Sequence, residues 1–247
     1  MSALVAVAHG SRDGRSAAAV SELIEVARAQ RPELDVRLAF LDFNAPRLPD
    51  VLTAVAGDGH RRAVVVPLLL GSAHHARVDV PAAVDRAISR LPGLDVLISD
   101  VLGPDPRLSA AALDRLGQAG VSPGERGLGV VLAAAGCSDP AANAAVHTEA
   151  ASWPRTVAAF AAATSPDVGT AADELRTGGA RRVAIAPWFL APGRLLDRVS
   201  AAAGPGAVVA EPLGAHPAVA ELVHYRYAAA IRRHVDYGRV HSALCLA

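Results

Sequence analysis

The sequence has few cysteines, no excess of either charge and no long apolar run. Its two cysteines, Cys137 and Cys245, lie far apart and form no Cys-x-x-Cys pair, which is typical of a reducing compartment. Lys plus Arg and Asp plus Glu number 24 each, so the basic surface that general nucleic-acid binding requires is missing. No apolar run reaches the roughly 18 residues that span a bilayer, and no basic segment of a signal peptide opens the chain. We therefore expect a cytoplasmic protein with neither a nucleic-acid nor a membrane partner.

Several well-known catalytic signatures are also missing. The sequence contains no G-x-G-x-x-G, no phosphate-binding P-loop and no G-x-S-x-G nucleophile turn. It has no H-E-x-x-H and no cysteine cluster, so a permanent structural zinc site is not expected. These absences argue against nucleotide-dependent chemistry and serine hydrolysis, and they leave no permanently bound cofactor to predict.

Apolar runs that alternate with Ala-rich amphipathic runs indicate an α/β protein. The segment "RAVVVPLLL" is almost continuously apolar, as are strands of parallel sheets that helices cover on both faces. The order of runs predicts a doubly wound sheet of about four strands. In the first half the predicted strands are 3–8, 35–40, 62–67 and 94–98, and the helices are 15–30, 46–56, 79–91 and 106–118.

The second half of the chain repeats the first. "RRAVVVPLLL" (61–70) resembles "RRVAIAPWFL" (181–190), and "LGPDPRLSAAALDR" (102–115) resembles "LGAHPAVAELVHYR" (213–226). Predicted strands fall at 127–133, 156–161, 181–187 and 206–210, with helices at 140–152, 167–177, 194–202 and 216–234. With the Gly-rich segment 117–127 as the boundary, we predict an N-terminal lobe at 1–120 that carries the active site. A degenerate repeat lobe follows at 127–235, and then a tail at 236–247.

Chemically useful residues cluster at one predicted edge of the first sheet. Ligands of open parallel sheets bind outside the carboxyl ends of the strands, and three polar loops of the first half start there. The candidates on these loops are His9, Ser11, Arg12, Asp42, Asn44, His74, His75 and Arg77. The matching positions of the second half carry mostly small or apolar residues, with Ala135 in place of His9, Leu195 in place of His75 and Arg194 in place of His74. The sequence therefore predicts a reactive edge in one lobe only.

Two imidazoles and a carboxylate support a limited range of chemistry. They bind borderline divalent metals such as Fe²⁺, Co²⁺, Ni²⁺ or Zn²⁺, and imidazoles exchange protons near neutral pH. A simpler interpretation stays open for each residue: Asp42 as a turn-capping carboxylate, and Arg12 and Arg77 as solvated charges. The remaining histidines lie in predicted helices, pre-strand turns or the tail, and we interpret them as structural or surface residues.

The three first-half motifs resemble one known family. "HGSRD" after the first strand, "FLDFNAPRL" (40–48) and "VPLLLGSAHHARVDVP" (66–81) are similar to the sirohydrochlorin chelatases of the class II chelatase superfamily. These lyase-type enzymes insert iron or cobalt during sirohaem or cobalamin synthesis, and their long members consist of two fused lobes. The resemblance covers the whole chain and implies a chelatase-like fold, the tetrapyrrole sirohydrochlorin as partner, and Fe²⁺ or Co²⁺ as substrate rather than cofactor.

The resemblance also implies roles for individual residues. His9 and His75 match the histidines of the family, and we expect them to bind the metal and accept the macrocycle protons. Asp42 stands where the family commonly has Glu, and we expect it to orient or relay. The substrate-binding candidates that remain are Ser11, Arg12, Asn44, His74 and Arg77.

Alternative functions stay open on the sequence alone. The chain could be a chelatase for another porphyrin, a non-catalytic metal or tetrapyrrole carrier, or a generic α/β transferase with His9 as base. Iron is favoured over cobalt without a residue-level reason. Because two fused lobes can complete a site within one chain, the sequence is compatible with a monomer and leaves the oligomeric state open.

Overall fold

Two four-stranded parallel sheets form the framework of the protein. The computed structural model describes residues 2–71 and 78–244, without the side chains of 236–244. The strand order is β2-β1-β3-β4 in the first sheet and β6-β5-β7-β8 in the second. The predicted α/β fold with two doubly wound lobes is confirmed.

Strands and helices alternate throughout both repeats. The first repeat consists of β1 (Ser2–Ala8), α1 (Gly14–Gln30), β2 (Val36–Phe40), α2 (Leu48–Gly57), β3 (Arg62–Pro67), α3 (Val80–Ile88), β4 (Asp95–Ile98) and α4 (Pro106–Gln118). The second consists of β5 (Leu128–Ala134), α5 (Pro140–Ala151), β6 (Thr156–Phe160), α6 (Val168–Thr177), β7 (Arg182–Trp188), α7 (Arg194–Ala202), β8 (Val208–Val209) and α8 (Pro217–Leu244). Among the described residues, no helix is both long enough and apolar enough to cross a membrane.

Burial on both faces explains the continuous apolar strands. Successive side chains of a strand point to opposite faces of the sheet. In β1, Val5 and Val7 join a core with Leu48 and Leu52 of α2, while Leu4 on the other face is fully buried as well. The second sheet has an equivalent core beneath α6 and α7. Only apolar residues at nearly every position of a strand satisfy two covered faces.

Most of α8, together with α4 and the first part of α1, belongs to the compact unit of the other repeat's sheet. One compact unit comprises Met1–Arg12, Ile24–Leu102 and Ala220–Ala247, and the other comprises Asp13–Leu23 and Gly103–Val219. In the first unit, the Tyr227 hydroxyl of α8 lies 2.6 Å from the Ser2 hydroxyl of β1. In the second unit, α4 packs on β7. Each compact unit therefore groups the elements that pack together, whereas each sheet contains the strands of one repeat only.

The largest differences from the predicted elements lie near the C-terminus. β8 has two residues instead of five: only Val208 and Val209 pair with β7, and the predicted start of the strand lies in a turn in which Gly204 and Gly206 have positive φ. α8 continues to Leu244, ten residues beyond its predicted end at 234. No proline interrupts this stretch, and the backbone hydrogen bonds of a helix form within the helix itself. The helix therefore continues although the sequence there has no apolar pattern that would predict it.

Candidate functional site

His9 lies at the carboxyl end of a central strand. β1 pairs with β2 on one side and with β3 on the other, and Ala8 stands opposite Phe40. The parallel ladder runs one step past the strands, because the Asp42 N–H donates to the His9 carbonyl at 2.8 Å. This hydrogen bond joins the two loops that follow β1 and β2, and it brings His9 beside Asp42.

Gly10 permits this close approach. Its φ is +91°, and a Cβ added there would lie 1.9 Å from the Asp42 carbonyl oxygen. Glycine alone combines a positive φ with the absence of a side chain. A larger residue at position 10 would push the two loops apart.

Asn44 fastens the two loops together. Its side-chain Oδ1 accepts a hydrogen bond from the Ser11 N–H at 2.7 Å, and its own N–H donates to the Asp42 carbonyl at 2.7 Å. The predicted substrate-binding residues Ser11 and Asn44 are therefore close together. Because the Asn44 amide oxygen is engaged within the protein, the amide NH₂ is the end of this side chain that a ligand would meet.

Asp42 is an exposed carboxylate that its own loop holds. Its Oδ1 accepts hydrogen bonds from the Phe43 N–H at 2.9 Å and from the Arg47 guanidinium at 2.9 Å. Arg47 also donates to the Leu41 carbonyl at 2.8 Å. The Phe43 N–H first, then Arg47, and more weakly the charge of His9 hold the pKa of Asp42 below its ordinary value. Asp42 is thus ionised at neutral pH. It gives the loop a negative charge, and through these hydrogen bonds it also holds the loop in position.

An aromatic ring stands beside His9. The rings of His9 and Phe43 meet edge to face, with centroids 6.2 Å apart and planes at 78°. The Arg12 guanidinium lies over the Phe43 ring, 5.3 Å from its centroid. Phe43 has a φ of +61° and is 46% exposed. The site therefore combines an imidazole, a carboxylate, an exposed guanidinium and an exposed apolar ring.

Three predicted site residues, His74, His75 and Arg77, lie outside the described residues. The first sheet still brings the ends of β1 and β3 together, since Val7 pairs with Pro67 and the Leu68 N–H donates to the Val7 carbonyl at 2.8 Å. The proximity of His9 and His75 stays a prediction. Where side chains are described, no group of three or more His, Cys, Asp or Glu residues could hold a metal ion.

The second repeat keeps the loop backbone and lacks the chemistry. Gly136 has a φ of +76°, and its added Cβ would lie 2.1 Å from the Ala162 carbonyl oxygen. The Ala162 N–H donates to the Ala135 carbonyl at 3.0 Å, as Asp42 does to His9. Ala163 has a φ of +65°, close to that of Phe43. Alanines thus occupy the positions of His9, Asp42 and Phe43 on an equivalent scaffold.

The family assignment rests on a match that spans both repeats. The CbiX family model matches residues 3–119 and 129–230. The chain belongs to the CbiX family.

Relatives with known names agree with this membership. Sirohydrochlorin ferrochelatase of Priestia megaterium is 26% identical over 205 residues, covering 81% of this chain and 77% of the relative. Sirohydrochlorin cobaltochelatase of the same organism is 27% identical over 210 residues, covering 81% and 67%. The structure of SirB from Bacillus subtilis with Fe³⁺ matches with a TM-score of 0.79 and 24% identity, covering 92% of this chain and 94% of that one. This CbiX protein shares the fold of that structure.

Two residues of the site, Phe43 and Arg47, were not among the candidates predicted from the sequence. A signal for both is present in the internal repeat, since "FLDFNAPRL" (40–48) aligns with "FAAATSPDV" (160–168). Arg47 matches Asp167, which caps α6 by accepting a hydrogen bond from the Thr170 N–H at 2.9 Å. Arg47 begins α2 without any side-chain cap and reaches back to Asp42 instead. In this CbiX protein the first repeat thus carries Arg where a capping residue favours helix stability.

Proposed function

We propose that this chain is a sirohydrochlorin chelatase, an enzyme that inserts Fe²⁺ or Co²⁺ into the carboxylate-rich tetrapyrrole sirohydrochlorin. The observation that carries the proposal is the alignment of both repeats with the CbiX family, whose named relatives act on this substrate. The His9 imidazole at the carboxyl end of β1 supports it, because metal insertion needs a group that binds a borderline divalent ion or accepts a proton.

Proton removal is the first task of the site. The inner N–H groups of the macrocycle must lose their protons as the M²⁺ ion binds the ring nitrogens, so each turnover releases two protons to bases and then to water. The His9 ring is half-buried at the end of β1, and in its neutral form it accepts a proton or binds the incoming metal ion. His75 is the proposed second imidazole for the same task.

Asp42 supports His9 through its charge. Once His9 accepts a proton it becomes an imidazolium, and an ionised carboxylate nearby stabilises that charge. The hydrogen bonds from Phe43 and Arg47 keep Asp42 ionised, and they also hold it in its loop. We therefore assign Asp42 an orienting and electrostatic role.

Recognition of the substrate rests on its rim of carboxylates. Arg12 is exposed and lies over the Phe43 ring, and a guanidinium binds carboxylates through paired hydrogen bonds. The proposal adds the Ser11 hydroxyl and the Asn44 amide NH₂ as neutral donors. It retains His74 and Arg77, from the loop after β3, as further substrate-binding residues.

An anaerobic metal-insertion assay tests the proposal. With purified protein, sirohydrochlorin and either Co²⁺ or Fe²⁺, the change in the macrocycle absorption spectrum reports insertion. We expect His9→Ala and His75→Ala each to lower the rate at least tenfold, a general acid–base effect. His147→Ala, an exposed histidine of the second repeat, is the control and keeps the wild-type rate. Asp42→Ala has a smaller effect than either active-site histidine variant.

Other outcomes of the assay identify the alternatives. If metal is inserted faster into a porphyrin with fewer carboxylates, that porphyrin is the substrate instead of sirohydrochlorin. Tight stoichiometric binding of metal or tetrapyrrole without turnover would make the chain a carrier. Competition between Fe²⁺ and Co²⁺ in the same assay selects the metal. We also retain, as proposals from the sequence, a monomeric state and a cytoplasmic location.

A further inference from the structure

Phe43 is an exposed aromatic residue whose presence the fold does not explain. The chain has four phenylalanines, and the other three contribute to the cores: Phe40 and Phe160 are buried, and Phe189 is partly buried against the second core. Phe43 is 46% exposed, although an apolar ring is favoured inside.

The backbone at Phe43 makes the choice of residue more unusual. A φ of +61° is uncommon for any residue with a side chain and strained for a bulky one. Strain of this kind persists where the surroundings hold it, and it is concentrated at functional sites. The equivalent residue of the second repeat, Ala163, has nearly the same φ of +65° without a ring. The loop conformation therefore does not require an aromatic side chain.

The ring contacts two groups with proposed roles in the reaction. The His9 imidazole meets it edge to face at 6.2 Å, and the Arg12 guanidinium lies over it at 5.3 Å. A flat tetrapyrrole presents the same sequence of chemistry from centre to rim: ring nitrogens, an apolar conjugated surface, and carboxylates. The three adjoining side chains of His9, Phe43 and Arg12 offer one partner for each of these features.

We propose that Phe43 is a substrate-binding residue of the chelatase, an aromatic surface that the macrocycle face contacts while the same ring supports Arg12 for a rim carboxylate. This inference rests on the proposed function and adds a recognition element for the flatness of the substrate. Aromatic stacking favours conjugated planar ligands, and a cation–π contact orients a guanidinium.

Binding of metal-free ligands to Phe43→Ala tests the proposal without the insertion step. We expect the Kd for sirohydrochlorin, measured by quenching of its fluorescence, to rise roughly fivefold or more. Phe43→Tyr keeps the ring and stays within about twofold of wild type. Leu113→Ala, which removes another exposed apolar side chain, is the matched control and leaves the Kd unchanged. Phe43→Ala should fold, because Ala163 adopts the same conformation.

Two further ligands separate stacking from charge. Uroporphyrin is flat and conjugated, whereas uroporphyrinogen carries the same carboxylates on a puckered, unconjugated ring. Wild type is expected to prefer uroporphyrin, and Phe43→Ala to lose most of that preference. Arg12→Ala weakens binding of both ligands, and by a smaller factor when Phe43 is already Ala, since the ring no longer orients the guanidinium.

The outcomes distinguish this inference from the proposed function. If wild type binds and metallates sirohydrochlorin while Phe43→Ala keeps its affinity and its preference for the flat ligand, Phe43 is not a binding residue and the chelatase proposal stands. If wild type neither binds nor metallates sirohydrochlorin, the function itself is wrong. Should Phe43→Ala fail the circular dichroism check, Phe43→Leu supplies the comparison, because it removes the aromatic ring and keeps an apolar side chain.

Discussion

Replacing Gly10 with alanine tests the two-loop scaffold directly. The added Cβ would lie 1.9 Å from the Asp42 carbonyl oxygen, so one loop must move by more than an ångström. A left-handed backbone costs an alanine roughly 1–2 kcal/mol. The shift also endangers the loop hydrogen bonds of Asp42 and Ser11, at about 1 kcal/mol each. We expect a loss of about 3 kcal/mol in the free energy of unfolding.

The second repeat supplies the matched control for this variant. Gly136→Ala places a Cβ 2.1 Å from the Ala162 carbonyl oxygen at a φ of +76°, which is nearly the same perturbation. Both variants should lower the Tm by roughly 6–12 °C in thermal unfolding followed by circular dichroism. Only Gly10→Ala displaces His9, and a displacement of about 1 Å in a catalytic group lowers turnover on the order of a hundredfold.

The two measurements together decide whether the reasoning holds. Metal insertion is assayed well below both melting temperatures, so that the folded state dominates in each variant. A wild-type Tm for Gly10→Ala would refute the steric argument. Equal losses of activity in Gly10→Ala and Gly136→Ala would refute the assignment of the reactive edge to the first repeat.

Three further predictions concern one contact within the site and two residues outside it. Arg47→Ala removes the ion pair with Asp42 and raises the pKa of the Asp42 carboxyl. The pKa should return only part of the way to its ordinary value, because the hydrogen bond from the Phe43 N–H remains. An NMR titration of the carboxyl carbon measures the shift. Burial lowers the pKa of His224, so its contribution to stability is complete above about pH 6.5 and declines as the pH falls below it. The Tm of wild type should therefore decrease more between pH 7.5 and 5.5 than that of His224→Gln. Asp167→Ala removes the cap of α6, where Thr170 donates, and lowers stability by about 1 kcal/mol without changing the insertion rate.

Continuous apolar runs predicted the sheets because both faces of the central strands β1, β3, β5 and β7 are buried. Strands such as β3 are apolar at almost every position, and helices such as α4 begin at Asp-Pro signals that are local in the sequence. The exchange of α4 and α8 left no such signal, since an amphipathic helix does not encode which sheet it covers. The length of β8 is set by how far it pairs with β7, at Val208 and Val209, and the local sequence does not encode that pairing.

The site was predicted in part for a related reason. His9, Asp42 and Asn44 follow strand ends, and parallel topology brings strand ends to one edge. The roles of Phe43 and Arg47 depend on a left-handed backbone and on a side chain that turns back toward its own loop. Neither is visible in composition or spacing, although comparison of the two repeats marks both positions.

The helix exchange ties the two halves of this chain to each other for folding. A fragment ending near residue 120 would lack the Tyr227 helix that bonds to β1, and it would carry α4 with no β7 to cover. The fragment that begins near residue 120 would lack α4 to cover β7, and it would carry the Tyr227 helix without β1. Each half thus lacks a helix that covers its own sheet, so we expect the separated halves to be unstable alone and to reassociate when they are mixed.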